Sequence, residues 1–255
     1  MMKFIAGLVI SLMLVSPVQA RSFLAQNDST KAWRLGVLVV PGMAYRALTI
    51  LEESSFMHFI VDSRNGNEIP RLNYSGSLLL EHRFTNLFSV SGGTGYTVMG
   101  WQSEFSGFIF SDPVRPEGGS GGSIPDPAIP ESVRYLQNFH YLDVPFRAQF
   151  TIGRGRFRSV TSIGITTSFL LRANTVASLT YSDGREDRKL QNDNAAYNKI
   201  GLFPTFSTGV SYALNDRMDL RLEPTFRYGV LRIIEAPITA NLWSGGIGFG
   251  FHYGL

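Results

Sequence analysis

Met218-Asp219-Leu220-Arg221-Leu222-Glu223-Pro224-Thr225-Phe226-Arg227-Tyr228-Gly229-Val230 is the stretch on which the fold turns. Met218, Leu220, Leu222, Pro224, Phe226, Tyr228 and Val230 take every second position; Asp219, Arg221, Glu223, Thr225 and Arg227 fill the positions between. A helix would mix the two sets around its circumference. A strand sends successive side chains to opposite faces and so separates them completely. The segment is a strand with one apolar face and one charged face.

The same alternation recurs along the chain. At 72–81, Leu72, Tyr74, Gly76, Leu78 and Leu80 oppose Asn73, Ser75, Ser77 and Glu81. At 141–152, Leu142, Val144, Phe146, Ala148, Phe150 and Ile152 oppose Tyr141, Asp143, Arg147 and Gln149. The last segment sets Trp243, Ile247, Phe249, Phe251 and Tyr253 against Ser244, Gly246, Gly248, Gly250 and His252. Weaker versions at 33–43, 88–101, 157–172 and 200–213 bring the expected strands to about eight.

The connections alternate in length. Short links at 83–87, 153–156 and 214–217 alternate with long ones at 44–70, 105–138 and 174–199 and a shorter one at 233–240. A soluble sandwich has no reason for such a rhythm, whereas an outer-membrane barrel has short periplasmic turns and long external loops. Lipid offers backbone groups no partners, so an antiparallel sheet survives there only when closed. The expected fold is all-β: a single closed, antiparallel, up-and-down transmembrane β-barrel of about eight strands, with both termini periplasmic. Trp33, Phe84, Phe157, Tyr212 and Tyr253 are expected at its periplasmic rim, and Tyr45, Tyr74, Trp101, Phe139, Phe169, Tyr228 and Trp243 at its outer rim. The alternative is a soluble β-sandwich or lipocalin-like exported binder, which would turn Phe226, Tyr228, Phe249 and Phe251 inward.

Residues 1–20 read as a signal peptide: Lys3 gives the positive start, an apolar run follows, and Val18-Gln19-Ala20 supplies the small-x-small cleavage pattern. Residues 21–32 are then an N-terminal periplasmic segment and 33–255 the barrel domain. With no cysteine there is neither a disulfide framework nor a lipidated N-terminal Cys. A formal net charge of +3, spread thinly, argues against nucleic acid as a partner. Residues 111–131 carry five prolines and a Gly-Gly-Ser-Gly-Gly-Ser run and read as an exposed loop. The mixed charges of 183–189 read as a solvated loop tip, whose Arg185, Arg188 and Lys189 could touch lipopolysaccharide phosphates. Gly153-Arg154-Gly155-Arg156 reads as a tight turn with basic flanks.

The charged faces hold Glu81, Asp143, Arg147, Asp219, Arg221, Glu223 and Arg227. An eight-stranded barrel has an interior only just wide enough for side chains, so these groups are expected to meet across the axis as a structural charge network that plugs the lumen. Buried charges persist only when paired. His58, His82, His140 and His252 are scattered, and none stands two residues from a serine on one strand face as a lipid hydrolase would need. Cysteine is absent, and no His-x-His, His-Glu-x-x-His or calcium-loop spacing occurs. No catalytic residue, cofactor or metal is expected.

Tyr141-Leu142-Asp143-Val144-Pro145-Phe146 resembles the Tyr-Leu-acid-aliphatic-Pro-aliphatic strand of the PorT-like outer-membrane β-barrel family of Bacteroidetes. Gly164, Gly209-Val210-Ser211-Tyr212 and Leu220-Arg221-Leu222-Glu223-Pro224 followed by Arg227-Tyr228 are similar to its later strands. The ending Gly248-Phe249-Gly250-Phe251-His252-Tyr253-Gly254-Leu255 resembles the signal read by the barrel assembly machinery, although Leu255 stands where Phe is usual. The resemblance implies architecture and outer-membrane location and carries over no catalytic residues. The function expected is that of a non-enzymatic integral outer-membrane protein. Its external loops would meet the cell's surroundings, surface polysaccharide or a partner protein, and its partners in the membrane would be outer-membrane lipid and lipopolysaccharide. The alternatives are a small transport pore, an accessory subunit of a secretion or surface-assembly complex, and a lipid-modifying enzyme.

Overall fold

The computed structural model describes residues 32–106, 130–181, 183–192 and 197–255. The expected signal peptide, residues 21–31 and most of the Pro- and Gly-rich stretch lie outside the described residues. The elements are β1 (Trp33–Ile50), α1 (Ser55–Asn67), β2 (Glu68–Arg83), β3 (Phe88–Ser106), β4 (Pro130–Ile152), β5 (Phe157–Tyr181), β6 (Glu186–Asn192), β7 (Ile200–Ala213), β8 (Met218–Tyr228) and β9 (Ile238–Gly254).

Eight of the strands close a ring in the order β1, β2, β3, β4, β5, β7, β8, β9, and every pairing is antiparallel. The seam joins the first strand to the last, from Arg34 opposite Gly254 to Ile50 opposite Ile238. Closure removes the two free edges that an open sheet would leave. The short links fall where the sequence placed them, between β2 and β3, β4 and β5, and β7 and β8. Each has a local cause. Thr85 Oγ1 accepts from the Phe88 amide at 2.9 Å, Asn215 Oδ1 accepts from the Met218 amide at 2.9 Å, and Gly153 and Gly155 take φ of +126° and +87°, which a side chain would oppose. The end of the barrel that carries these turns is called the turn end, and the other the loop end.

The faces sort as the alternation requires. Leu222 and Phe249 are 43% and 54% exposed on the outside, while Asp219 and Glu223 are each 1% exposed within. Aromatic side chains girdle the turn end: Phe157 lies 4.7 Å from Tyr212, Trp33 4.4 Å from His82, and Phe84 5.8 Å from Phe88, all between ring centroids. At the loop end Tyr74, Phe169 and Tyr228 face outward, and Trp243 meets Tyr45 edge-on.

Three features depart from the sequence reading. Trp101 and Phe139, expected at the outer rim, point into the barrel and are buried. Phe139 follows the inward set of Tyr141 and Asp143, and Trp101 pairs with Gln137, also buried, so the parity that brings charge into the lumen brings these rings in above it. The charged tip 183–189 is exposed, as expected, but it forms part of the turn of a hairpin and the first residues of its returning strand. Beyond Phe169, where β7 leaves the edge of β5, β6 takes that edge from Asn174 opposite Asn192 to Thr180 opposite Glu186. All seven residues of β6 are exposed, so no alternation marks it in the sequence. The first long connection contains α1, capped by the Ser54 hydroxyl, which accepts from the Met57 amide at 3.2 Å. The helix buries no residue completely, which is why its apolar spacing is faint.

Candidate functional site

Among the described residues, charged side chains from strands at both ends of the chain converge in the lumen. All seven predicted network residues lie there: Glu81, Asp143, Arg147, Asp219, Arg221, Glu223 and Arg227 are each under 10% exposed. Alternation on β2, β4 and β8 aims them inward, and ring closure sets their heights.

Nearest the turn end, Arg221 is the hub. Its guanidinium donates to Glu81 Oε2 at 2.8 Å, to Asp219 Oδ2 at 3.0 Å and to Gln149 Oε1 at 2.6 Å. Arg34 of β1 closes the other side of Asp219. His252 stands between the two carboxylates, 3.8 Å from Glu81 and 3.9 Å from Asp219. In the next layer Arg147 Nη2 meets Glu223 Oε2 at 2.7 Å, Ser207 bridges the pair, and Ser162 accepts from Arg147 and hydrogen-bonds Ser207. Above that, Arg227 donates to Asp143 Oδ2 at 2.8 Å, and Thr97 and Ser168 each donate to the same carboxylate at 2.6 Å. Four arginines thus face four carboxylates, and hydroxyls of Thr97, Ser168 and Ser207 donate to Asp143 and Glu223, so that each buried charge has an opposite charge beside it, the condition under which buried charge is tolerated.

The polar layers are covered toward the loop end by an apolar one. Met99, Trp101, Phe139, Tyr141, Phe203 and Leu242 pack together, and the Arg227 guanidinium lies 5.2 Å from the centre of the Phe203 ring. Higher still, Arg46 of β1 donates to Glu68 Oε2 at 2.5 Å and to Asn65 Oδ1 at 2.7 Å, while Arg64 of α1 donates to Glu68 Oε1 at 2.7 Å. These contacts pin the end of α1 to the mouth of the barrel. Among the polar layers a void of about 50 Å³ is lined by Leu38, Asn73, Asp143, Arg147, Thr166 and Arg227, room for only a few waters.

Arg34, Arg46 and Glu68 join the enclosed charges with no clear signal in the sequence, and His252, on the polar face of the last strand, meets its carboxylates only through the closed ring. Arg34 and Arg46 share the inward parity of β1 with Leu38 and Ala44, so the charge there does not alternate cleanly. Glu68 lies in a stretch that reads as loop.

A closed ring of long antiparallel strands, apolar outside and charge-paired within, defines a small integral outer-membrane β-barrel. The chain belongs to the outer membrane protein beta-barrel domain family, which it matches over residues 24–231. A comparison with curated proteins returns no significant match. Among solved structures the chain is similar to Neisserial surface protein A (12% identity, TM-score 0.43, covering 88% of this chain and 97% of that one). It is also similar to OprG of Pseudomonas aeruginosa (12%, 0.39, 88% and 98%) and to the outer-membrane protease OmpT of Escherichia coli (8%, 0.38, 91% and 99%). These are distant likenesses; the family match is what assigns the chain to the outer membrane.

Proposed function

We propose that the protein is a non-enzymatic outer-membrane barrel with a closed lumen, which works through its loop end and crosses to its site of assembly behind a cleaved leader at 1–20. The supporting observation is the filling of the lumen: an ion moving along the axis would have to part the Arg147–Glu223 and Arg227–Asp143 pairs and then pass the layer of Phe139 and Phe203. Separating such pairs leaves uncompensated buried charge. The loop end, by contrast, offers shape: α1, the β5–β6 hairpin, and an open depression of about 900 Å³ between Leu51, Asn198 and Arg232. Lipopolysaccharide and a protein of a surface or secretion complex are the partners this end would meet, and the assembly machinery would read the last strand. The Tyr141–Phe146 stretch supports closer kinship with the PorT-like barrels of Bacteroidetes.

Reconstitution into planar bilayers tests the closed lumen. The expected trace is flat at the resolution of single porin channels; stable openings of porin size would overturn the reading.

A further inference from the structure

Three arginines gather outside the barrel at the loop end, and the lumen network does not use them. Arg71 sits in the irregular stretch of β2 between Pro70 and Tyr74, where the β2–β3 register shifts. Its guanidinium donates to Asn138 of β4, reaching past β3, whose residue opposite Asn138 is the side-chain-free Gly100. Arg172 of β5 is exposed and is held by Asn192 of β6, which accepts from Nη2 at 2.9 Å and Nε at 3.2 Å. Arg188 of β6 is exposed and lies within electrostatic range of Arg71. Both Arg71 and Arg172 are also within range of His140, whose Nδ1 lies 2.6 Å from the Tyr96 hydroxyl on the outer face.

Like charges are thus brought together at a cost, with asparagines rather than carboxylates between them. Among the described residues no acidic side chain pairs with Arg71, Arg172 or Arg188; the nearby Glu104 pairs with Arg134 at 3.4 Å. Asn174, in register with both Asn138 and Asn192, is 7% exposed and its Oδ1 has no partner. That oxygen accepts, so a hydroxyl or amide N–H of a lipid headgroup would satisfy it, while the phosphate oxygens would take the guanidinium donors. Directly toward the membrane lie Leu142, Phe169 and Leu171, all outward and exposed, with Tyr74 and Tyr96 beside them. Cationic groups over an apolar wall, with tyrosine hydroxyls at the junction, match an anionic headgroup on acyl chains.

We infer that this face of β2 to β6 is a binding site for the phosphate of an outer-leaflet lipid, with Arg71, Arg172 and Arg188 as its cationic ligands and Leu142, Phe169 and Leu171 against its chains. The site depends on the outer-membrane placement and is independent of whether the lumen conducts. Guanidinium groups suit it better than ammonium groups, because each presents two parallel donors to phosphate oxygens. The strand outside the ring gains a purpose in this setting: β6 supplies Arg188 and the asparagine that orients Arg172.

The test uses the full mature chain in phosphatidylcholine nanodiscs, titrated with a bisphosphorylated, acylated glucosamine disaccharide, with its phosphate-free analogue, and with inorganic phosphate alone. Saturable binding of the phosphorylated lipid is expected, with affinity lowered about tenfold for each of Arg71→Gln, Arg172→Gln and Arg188→Gln. Heat-modifiable gel mobility and circular dichroism verify that each variant is folded. Leu231→Gln, away from the cluster, should bind as the parent does. Equal binding of the phosphate-free lipid, or unchanged affinity in a folded triple variant, would overturn the site. Competition by inorganic phosphate at concentrations matching the lipid would reassign it to a free anion and overturn it as a lipid site. Bilayer conductance of the same preparations reports separately on the closed lumen.

Discussion

Arg147 on β4 and Glu223 on β8 meet at 2.7 Å across the inside of the barrel, although two other strands of the ring lie between them. Their side chains are 7% and 2% exposed, so the pair exists only when the ring is closed. Removing one partner would leave a buried charge unmatched, which costs about 3–5 kcal/mol; replacing both by apolar groups of similar volume is near neutral. Arg147→Ala should therefore lower unfolding stability in lipid vesicles by about 3–5 kcal/mol, while Arg147→Met combined with Glu223→Leu should recover most of the loss. Equal losses in urea titrations of the single and double variants would contradict the pairing.

The outward direction of β8 makes a second prediction. Leu222 is exposed on the lipid-facing side, whereas Leu231, equally exposed, lies beyond the strand at the loop end. Leu222→Arg should cost about 2–4 kcal/mol in vesicles, the penalty for a cation near the bilayer midplane. Leu231→Arg should stay within about 0.5 kcal/mol of the parent.

Phe139 is fully buried among Trp101, Tyr141 and Tyr197, in ring contacts at 5.4, 6.4 and 4.9 Å. Phe139→Ala opens a cavity and should destabilise by about 3–5 kcal/mol. The polar layers beneath it remain paired, so planar-bilayer traces of this variant should stay flat.

At Gly209 of β7 a Cβ would fall 1.9 Å from the Leu222 carbonyl oxygen of β8, while at Gly76 it would meet nothing within 4 Å. Gly209→Ala should push the two strands apart, with a loss of about 1–3 kcal/mol and a smaller heat-modifiable fraction on gels. Gly76→Ala should fold as the parent does. Matching behaviour of the two variants would show that β7 and β8 do not approach as closely as the structure has them.

The family-level architecture was legible because alternation is local. Asp219 to Arg227 can be assigned to one face from neighbouring residues alone, and the three tight links announce themselves through Thr85, Asn215 and the glycines at 153 and 155. The seven lumen charges followed from the same parity. Arg34 and Arg46 were not legible because they share their face with Leu38 and Ala44, and β6 was not because none of its residues is buried.

The sequence by itself determined the eight strands of the ring, their two faces, the tight turns and seven of the enclosed charges, since period-two patterning and turn chemistry act over a few residues. Tertiary structure alone decided the partners. Arg221 finds Glu81 from 140 positions away and Arg34 finds Asp219 from 185, distances bridged only by the stagger of a closed ring. The same stagger turned Trp101 and Phe139 into a cap over the polar layers and drew Arg71, Arg172 and Arg188 onto one outer face, because register, and not local pattern, sets which residues share a height.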